Sequence, residues 1–187
     1  MIIQATPYGT KKEEPFAFTY SGDFTDSRVD GIGDVTLNTS GTLTVTGKAV
    51  TVRVYILAGG GGAASWTGMP RNGTGGGGGN QEVEVELTPG TYEIIIGSGG
   101  TIYRAAAEGT AGAGGDTTAF GVTSTGGKGG KAAYPQSVGG AGGSPNGSAG
   151  VNAQGMTVAA GGAPNGGGIS GSTPQPGGDG LVRITFS

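Results

Sequence analysis

Neither cysteine nor histidine occurs anywhere in the 187 residues. The first absence leaves no disulfide and no thiolate metal ligand. The second removes the commonest general base, the commonest metal ligand, and the Ser/His and Cys/His nucleophile pairs. Charge is scarce: 12% of residues are Asp, Glu, Lys or Arg, and the net charge is -3. Lys128 and Lys131 stand isolated, so no basic patch points to nucleic acid. The longest apolar stretch, Val54 to Ala58, is far too short to cross a bilayer, and membrane insertion is not expected. Met1 to Pro7 has no basic region followed by a long apolar run, so no signal peptide is expected. Helix formers in uninterrupted runs are also missing; only Thr101 to Glu108 could hold two helical turns.

What is abundant is glycine, 46 residues, concentrated between Gly59 and Gly180. There it falls in doublets or three residues apart, as in Gly73/Gly76/Gly79, Gly109/Gly112/Gly115 and Gly126/Gly129 beside Gly127/Gly130. Three is the repeat of the polyproline II helix, which makes no internal hydrogen bonds and carries its N–H and C=O groups outward. Such helices can lie side by side only where facing positions lack a Cβ. A bundle of extended glycine helices follows. The region is not a Gly/Ser linker, because Val122, Tyr134, Val138, Val151, Met156, Val158 and Ile169 interrupt it without repetition. Prolines are too sparse and the period too loose for collagen.

Strands flank the glycine. Phe16 to Tyr20 alternates, and Asp34 to Asn38 followed by Thr42 to Thr46 reads as a hairpin with Val35, Leu37, Leu43 and Val45 on one face. Val50 to Leu57 is the strongest strand. Gln81 to Leu87 alternates with Glu82, Glu84 and Glu86 outward, and Thr88-Pro89-Gly90 turns it into Thr91 to Ile96 as a second hairpin. Leu181 to Phe186 closes the chain. About seven strands predict an all-β fold: a β-sandwich, jelly-roll-like, from whose rim the glycine runs make long excursions. Residues 1–15 read as an N-terminal docking arm and 16–187 as one glycine-rich β domain. Its strands lie at 16–57, 81–96 and 181–186, its glycine runs mainly at 59–80 and 97–180.

Three motif look-alikes fail on mechanism. Gly59 to Ala64 matches a dinucleotide fingerprint, with Glu82 at suitable distance, but Ser65 to Pro70 cannot supply the helix that meets a pyrophosphate. Gly126 to Lys131 resembles a phosphate loop, but Ala132 stands where Ser or Thr would hold magnesium. Asp23, Asp26, Asp30 and Asp34 lack EF-hand spacing and read as solvated turns. No cofactor or metal is expected. An enzyme is not expected either; a depolymerase relying on Asp and Glu alone is the one catalytic reading that the composition leaves.

Binding residues are expected on loops that a rigid scaffold holds. The non-glycine interruptions at 64–72, 102–104, 133–136 and 152–156 supply the candidates Trp66, Met69, Arg71, Tyr103, Arg104, Tyr134, Gln136 and Met156. Aromatic residues and Arg are enriched at interface hot spots. For Trp66 and Tyr134 the competing role is simple cover for the edge of a glycine slab.

The order VRVYILAGGGGAAS, QEVEVELTPGTYEIIIGSGG, GGDTTAFGVTSTGGKGG and GGDGLVRITFS, preceded by FAFTYSGDF and LNTSGTLTV, resembles the glycine-rich domain of bacteriophage and prophage tail proteins. The resemblance spans nearly the whole chain and rests on motif order. It implies a β-framework carrying a sandwich of polyglycine II helices, as in the tail-tip adhesins of T-even-type phages. Loops between the glycine motifs would then contact a bacterial surface receptor, protein or glycan. The N-terminal segment would dock on other virion proteins. The glycine-rich ectodomain of certain animal receptor kinases is similar, but this chain lacks its cysteines and membrane segment.

The expected function is a virion appendage protein, a tail-fibre tip or receptor-binding adhesin, made in the host cytoplasm and carried on the particle. The alternative is a structural or decoration subunit that binds only virion proteins. An ice-binding slab would need a regular Thr or Ala face, and none recurs. Oligomerisation is left open, since no heptad seam is visible.

Overall fold

A computed structural model describes residues 14–156, 158–170 and 173–187. Residues 1–13 of the expected docking arm lie outside them. The described residues contain no helix. In chain order the first strands are β1 (Ala17–Tyr20), β2 (Phe24–Asp26), β3 (Gly33–Leu37), β4 (Gly41–Thr46) and β5 (Val50–Leu57). Next come β6 (Ala64–Trp66), β7 (Arg71–Gly73), β8 (Asn80–Leu87), β9 (Gly90–Ile94), β10 (Tyr103–Ala105) and β11 (Gly109–Thr110). The last are β12 (Thr117–Ala119), β13 (Val122–Ser124), β14 (Lys131–Ala132), β15 (Ile169–Ser170), β16 (Thr173–Pro174) and β17 (Leu181–Phe186).

An antiparallel sheet in the order β2-β3-β17-β5-β8 faces a smaller one in the order β1-β4-β9. Alternation drives this packing. Val35, Leu37, Val54, Ile56, Val182 and Ile184 from the larger sheet meet Leu43, Val45 and Ile94 from the smaller one in a single buried cluster. At the far rim the Arg28 guanidinium lies 4.8 Å from the ring centroids of both Phe18 and Phe186. Asp26 holds it at 2.7 Å, and that hydrogen bond keeps the Asp26 carboxyl below the usual range. Glu82, Glu84 and Glu86 are exposed, as expected, and they lie on the edge strand β8, where charge discourages sheet-to-sheet pairing.

Neither expected hairpin forms. β3 pairs with β2 and β17, whereas β4 pairs with β1 and β9. Val35 and Leu37 therefore meet Leu43 and Val45 across the core instead of sharing a sheet face. Likewise β8 pairs with β5, and β9 crosses to β4. The Tyr92 hydroxyl closes that corner, donating to the Thr88 carbonyl at 2.8 Å and accepting from the Thr88 N–H at 3.1 Å. Alternation reports that a strand has a buried face. It does not report which strand lies beside it. Thr101 to Glu108, the one stretch able to hold a helix, instead contains β10, parallel to β6.

The glycine runs extend the larger sheet. Residues 58–63 continue β5, 74–79 lead into β8, and 174–180 lead into β17. Their partners stay the same: Ala58 N–H donates to Gly79, and Gly60 N–H to Gly178. Beyond the strands, however, the hydrogen bonds point in three directions and repeat every third residue. Gly59 and Gly62 donate to Gly115 and Gly112; Gly60 and Ala63 donate to Gly178 and Gln175; Gly61 donates to Gly76. In return, the carbonyls of Gly60 and Ala63 accept from Gly100 and Tyr103, those of Gly59 and Gly62 from Gly127 and Gly130, and that of Gly61 from Gly167. Run 58–63 is thus surrounded by six others: 74–79, 97–103, 109–116, 124–131, 164–169 and 174–180. Run 74–79 is enclosed in the same way, by 58–63, 124–131, 138–144, 145–152, 159–162 and 164–169.

These neighbour relations give three layers. One holds 109–116, 124–131 and 138–144; the middle holds 97–103, 58–63, 74–79 and 145–152; the third holds 174–180, 164–169 and 159–162. The two enclosed runs are the ones with unbroken glycine, and 57–65 and 72–79 are buried throughout. In the first layer every third residue is exposed: Thr110, Ala113 and Asp116, then Thr125, Lys128 and Lys131, then Val138, Ala141 and Ser144. A Cβ at Gly61 would collide with the Lys128 carbonyl and the Gly129 nitrogen, all backbone.

The slab is tied to the sandwich by two kinds of turn. The β12–β13 hairpin inserts Ala119 into the sandwich core and sets Phe120 against Tyr92, ring centroids 5.4 Å apart. Two Pro-Asn-Gly turns, 145–147 and 164–166, reverse the chain beside the sheet, with Asn146 (φ 62°) and Asn165 (φ 50°) left-handed. The Asn165 amide donates to the carbonyls of Ala58, Gly178 and Asp179, while its oxygen accepts from Gly78 N–H. It stitches three runs at the point where sheet becomes slab.

Two substitutions separate inside from outside. Gly61→Ala is expected to lower unfolding free energy by about 3 kcal/mol, because the colliding atoms are backbone. Lys128→Ala, on the same pair of runs but facing outward, is expected to stay within about 0.5 kcal/mol of wild type. Urea denaturation of both proteins checks the contrast.

Candidate functional site

The runs alternate in direction, so their connections fall at two ends. The end away from the sandwich gathers the β6–β7 hairpin, the β10–β11 turn, the loop after β14 and the connection around Ala153 to Met156. Short pairings weld them together. β10 runs parallel to β6, β11 pairs with β14, Gly73 bridges Asn152, and Lys131 bridges Val138. Glu14 and Ser187 lie at the opposite pole. The Glu14 carbonyl accepts from Lys48 N–H in the β4–β5 turn, and Phe186 pairs with Gly33.

All eight residues singled out from the sequence stand on these far connections, although they come from four separate stretches of chain. Their roles differ. Trp66 is half-buried, packed with Tyr103 against Ala64, Ala111 and Ala132. The Tyr103 ring lies so close over Gly109 that a Cβ there would overlap it. Its hydroxyl donates to the carbonyls of Glu108 at 2.9 Å and Ala107 at 3.3 Å, closing the β10–β11 turn. Glu108 in turn accepts from Tyr134 N–H at 2.9 Å, linking two loops. Arg71 lies 5.0 Å from the Tyr134 ring centroid and donates to the Pro135 carbonyl. Tyr103 and Arg71 therefore hold loops in place. Met69, Arg104, Tyr134, Gln136 and Met156 are the exposed members, Tyr134 the most open of the three apolar ones at 65%.

A cleft of about 360 Å³ opens between the β6–β7 turn and the Gly155–Met156 turn. Ser65, Trp66, Thr67, Met69, Asn72, Arg104 and Met156 are among its lining residues. Asn72 falls inside the candidate stretch 64–72 but is not singled out there by sequence reasoning, since nothing marks a strand asparagine as different from a turn asparagine. It also passed over part of the apolar rim: Val138 and Val158 are exposed at or beside these loops, together with Ile102 of the stretch 102–104 and with Met69 and Met156. Grouped exposed apolar side chains mark interaction surfaces more often than isolated ones do.

No cluster of three or more His, Cys, Asp or Glu residues able to hold a metal occurs among the described residues. Asp26 is committed to Arg28, and Asp34 accepts from the Thr185 hydroxyl at 2.7 Å. Among the described residues no helix is long and apolar enough to cross a membrane. Neither the family models nor the curated proteins compared with the chain give a match.

Arg71→Ala removes both the ring contact and the carbonyl bond that fix loop 133–137. Exchange at the Tyr134 and Val138 amides, which donate to Glu108 and to the Lys131 carbonyl, is expected to speed up by about tenfold, the equivalent of one such interaction. Exchange at Gly75 to Gly79 is expected to stay unchanged, as measured by NMR.

Proposed function

We propose that the protein is a virion appendage component, the receptor-binding tip of a tail fibre, and that it contacts the bacterial surface through the loops at the far end of the slab. The glycine slab is read as a polyglycine II sandwich, which is supported by the three-residue hydrogen-bond repeat and by the six neighbours around each enclosed run. One observation carries the functional reading: polarity. Four separate connections present aromatic, Met and Arg side chains at one pole, and Glu14 and Ser187 lie at the other. A protein anchored by one pole displays the opposite one.

The mechanism is surface complementarity without chemistry. Loop ends fixed by backbone hydrogen bonds lose little further freedom on binding, which lowers the cost of association. Modest affinity per site is multiplied when several copies sit on one particle. Residues 1–13 would make the attachment to other virion proteins. The non-enzymatic reading is supported by the absence of histidine and cysteine.

Labelled protein, displayed on a multivalent carrier, is expected to bind intact cells of some bacterial strains saturably. A variant carrying Met69→Ala, Arg104→Gln, Tyr134→Ala and Gln136→Ala alters only exposed side chains; it is expected to stay folded and lose binding. Lys128→Ala is expected to bind as wild type. Failure to bind a confirmed host of the parent particle would overturn the adhesin reading in favour of a structural subunit.

A further inference from the structure

Behind the wall of the cleft beside Trp66 lies a polar atom that the protein itself does not satisfy. Asn72 is 3% exposed, in β7, and its Nδ2 donates to the Met156 carbonyl at 3.1 Å, which fixes the orientation of the amide. Its Oδ1 is then buried with no partner, the one such side-chain atom among the described residues. The Asn72 backbone is occupied, facing Ser65 across the hairpin and accepting from Ala153 N–H at 2.9 Å. Asn72 also lines the cleft, with its Oδ1 lying just behind the cleft surface. Buried acceptors almost always find a donor, and a lone exception behind a cavity wall is a place that water or an occupant of the cavity can complete.

The rest of the lining narrows the occupant. Trp66 is half-buried and packs with Tyr103 against Ala64, Ala111 and Ala132. Thr67 and Ser65 stand beside it, and Arg104 is the only ionisable residue of the lining. Arg104 is exposed and has no ion pair among the described residues, whereas Arg71 is already used by Tyr134 and Pro135. The site is locally cationic in a chain of net charge -3. A volume of about 360 Å³ is at the small end for a ligand pocket and suits about one or two sugar rings.

We propose that this cleft binds an acidic saccharide. A ring would stack on Trp66, the guanidinium of Arg104 would take the acidic group, and a hydroxyl would reach Asn72 Oδ1 as the Gly155–Met156 turn shifts to admit it. This rests on the adhesin reading and names the ligand class for one part of the same pole. A carboxylate sugar and a phosphorylated sugar share this chemistry, and separate titrations tell them apart.

Trp66 is the only tryptophan, so its fluorescence reports on the cleft alone. The full chain is titrated with tri-galacturonic acid, with a phosphorylated lipopolysaccharide core oligosaccharide, and with neutral maltotriose. At least one acidic oligosaccharide is expected to shift Trp66 emission saturably, and maltotriose is not. Whichever arm responds identifies the carboxylate or the phosphate as the acidic group. Arg104→Gln, at an exposed position that leaves the fold intact, and Asn72→Leu are each expected to weaken binding by roughly tenfold or more, the loss of one charge-assisted or buried hydrogen bond. Three results overturn the proposal: no response to either acid, an equal response to maltotriose, or undiminished binding by Arg104→Gln. Cell binding measured in parallel separates the two claims. Cells bound without any saccharide response would remove the saccharide and leave the adhesin; a saccharide response without cell binding would do the reverse.

Discussion

The N–H···O=C bond between neighbouring glycine runs is the interaction on which the slab, and every loop that it carries, depends. It forms only because the two backbones approach more closely than any Cβ would allow, as at Gly61 against Lys128. Its energetics are finely balanced. Ordering one residue's backbone costs about 1–2 kcal/mol, and more for glycine, while each such bond returns about 0.5–1.5 kcal/mol net. A glycine bundle has almost no apolar burial to close that gap. The slab is thus marginal by itself, and its architecture answers the problem. The runs are short, and 58–63, 74–79 and 174–180 grow directly from β5, β8 and β17, inheriting the sheet's own neighbours. The sandwich core around Val54, Ile56 and Ile184 supplies the burial that the slab lacks.

The same bond explains the outward chemistry. Once two of every three directions around a peripheral run are taken by neighbours, one direction is left to solvent. That free direction holds Thr125, Lys128 and Lys131 on one run and Val138, Ala141 and Ser144 on the next. Side chains there can change without touching the lattice, and so can those on the connecting loops. A fold of this kind separates a part that tolerates only glycine from a part that tolerates nearly anything, which suits a recognition surface that must vary over a constant frame.

Much of this was legible from residue order alone. The glycine period announced extended runs that bond to each other, and β5 and β17 lie where their alternation placed them, at Val50–Leu57 and Leu181–Phe186. The loops chosen for Trp66, Arg71, Tyr134 and Met156 do share one end of the molecule. What failed was partnership. The pairings of β3 with β4 and of β8 with β9 were wrong because a short turn permits both a hairpin and a step to the opposite sheet. The deciding contacts, such as Tyr92 on Thr88, are invisible as patterns. The two Pro-Asn-Gly turns were readable as a repeat, but nothing local ties Asn165 to Ala58, 107 positions away. Asn72 was illegible for a different reason: a missing hydrogen bond leaves no mark in a sequence.

The central claim, that the glycine runs form an ordered lattice of backbone bonds, is tested most directly by hydrogen exchange resolved at single amides. Gly59 to Gly62 and Gly75 to Gly79 are the residues to watch, with Val54 and Ile184 as internal references. The account predicts that these glycine amides exchange as slowly as those of the two core strands, because each donates to a neighbouring run inside a buried slab. Exchange at the rate of an unstructured chain, with Val54 and Ile184 still protected, would contradict it and leave a β-sandwich trailing loose glycine loops.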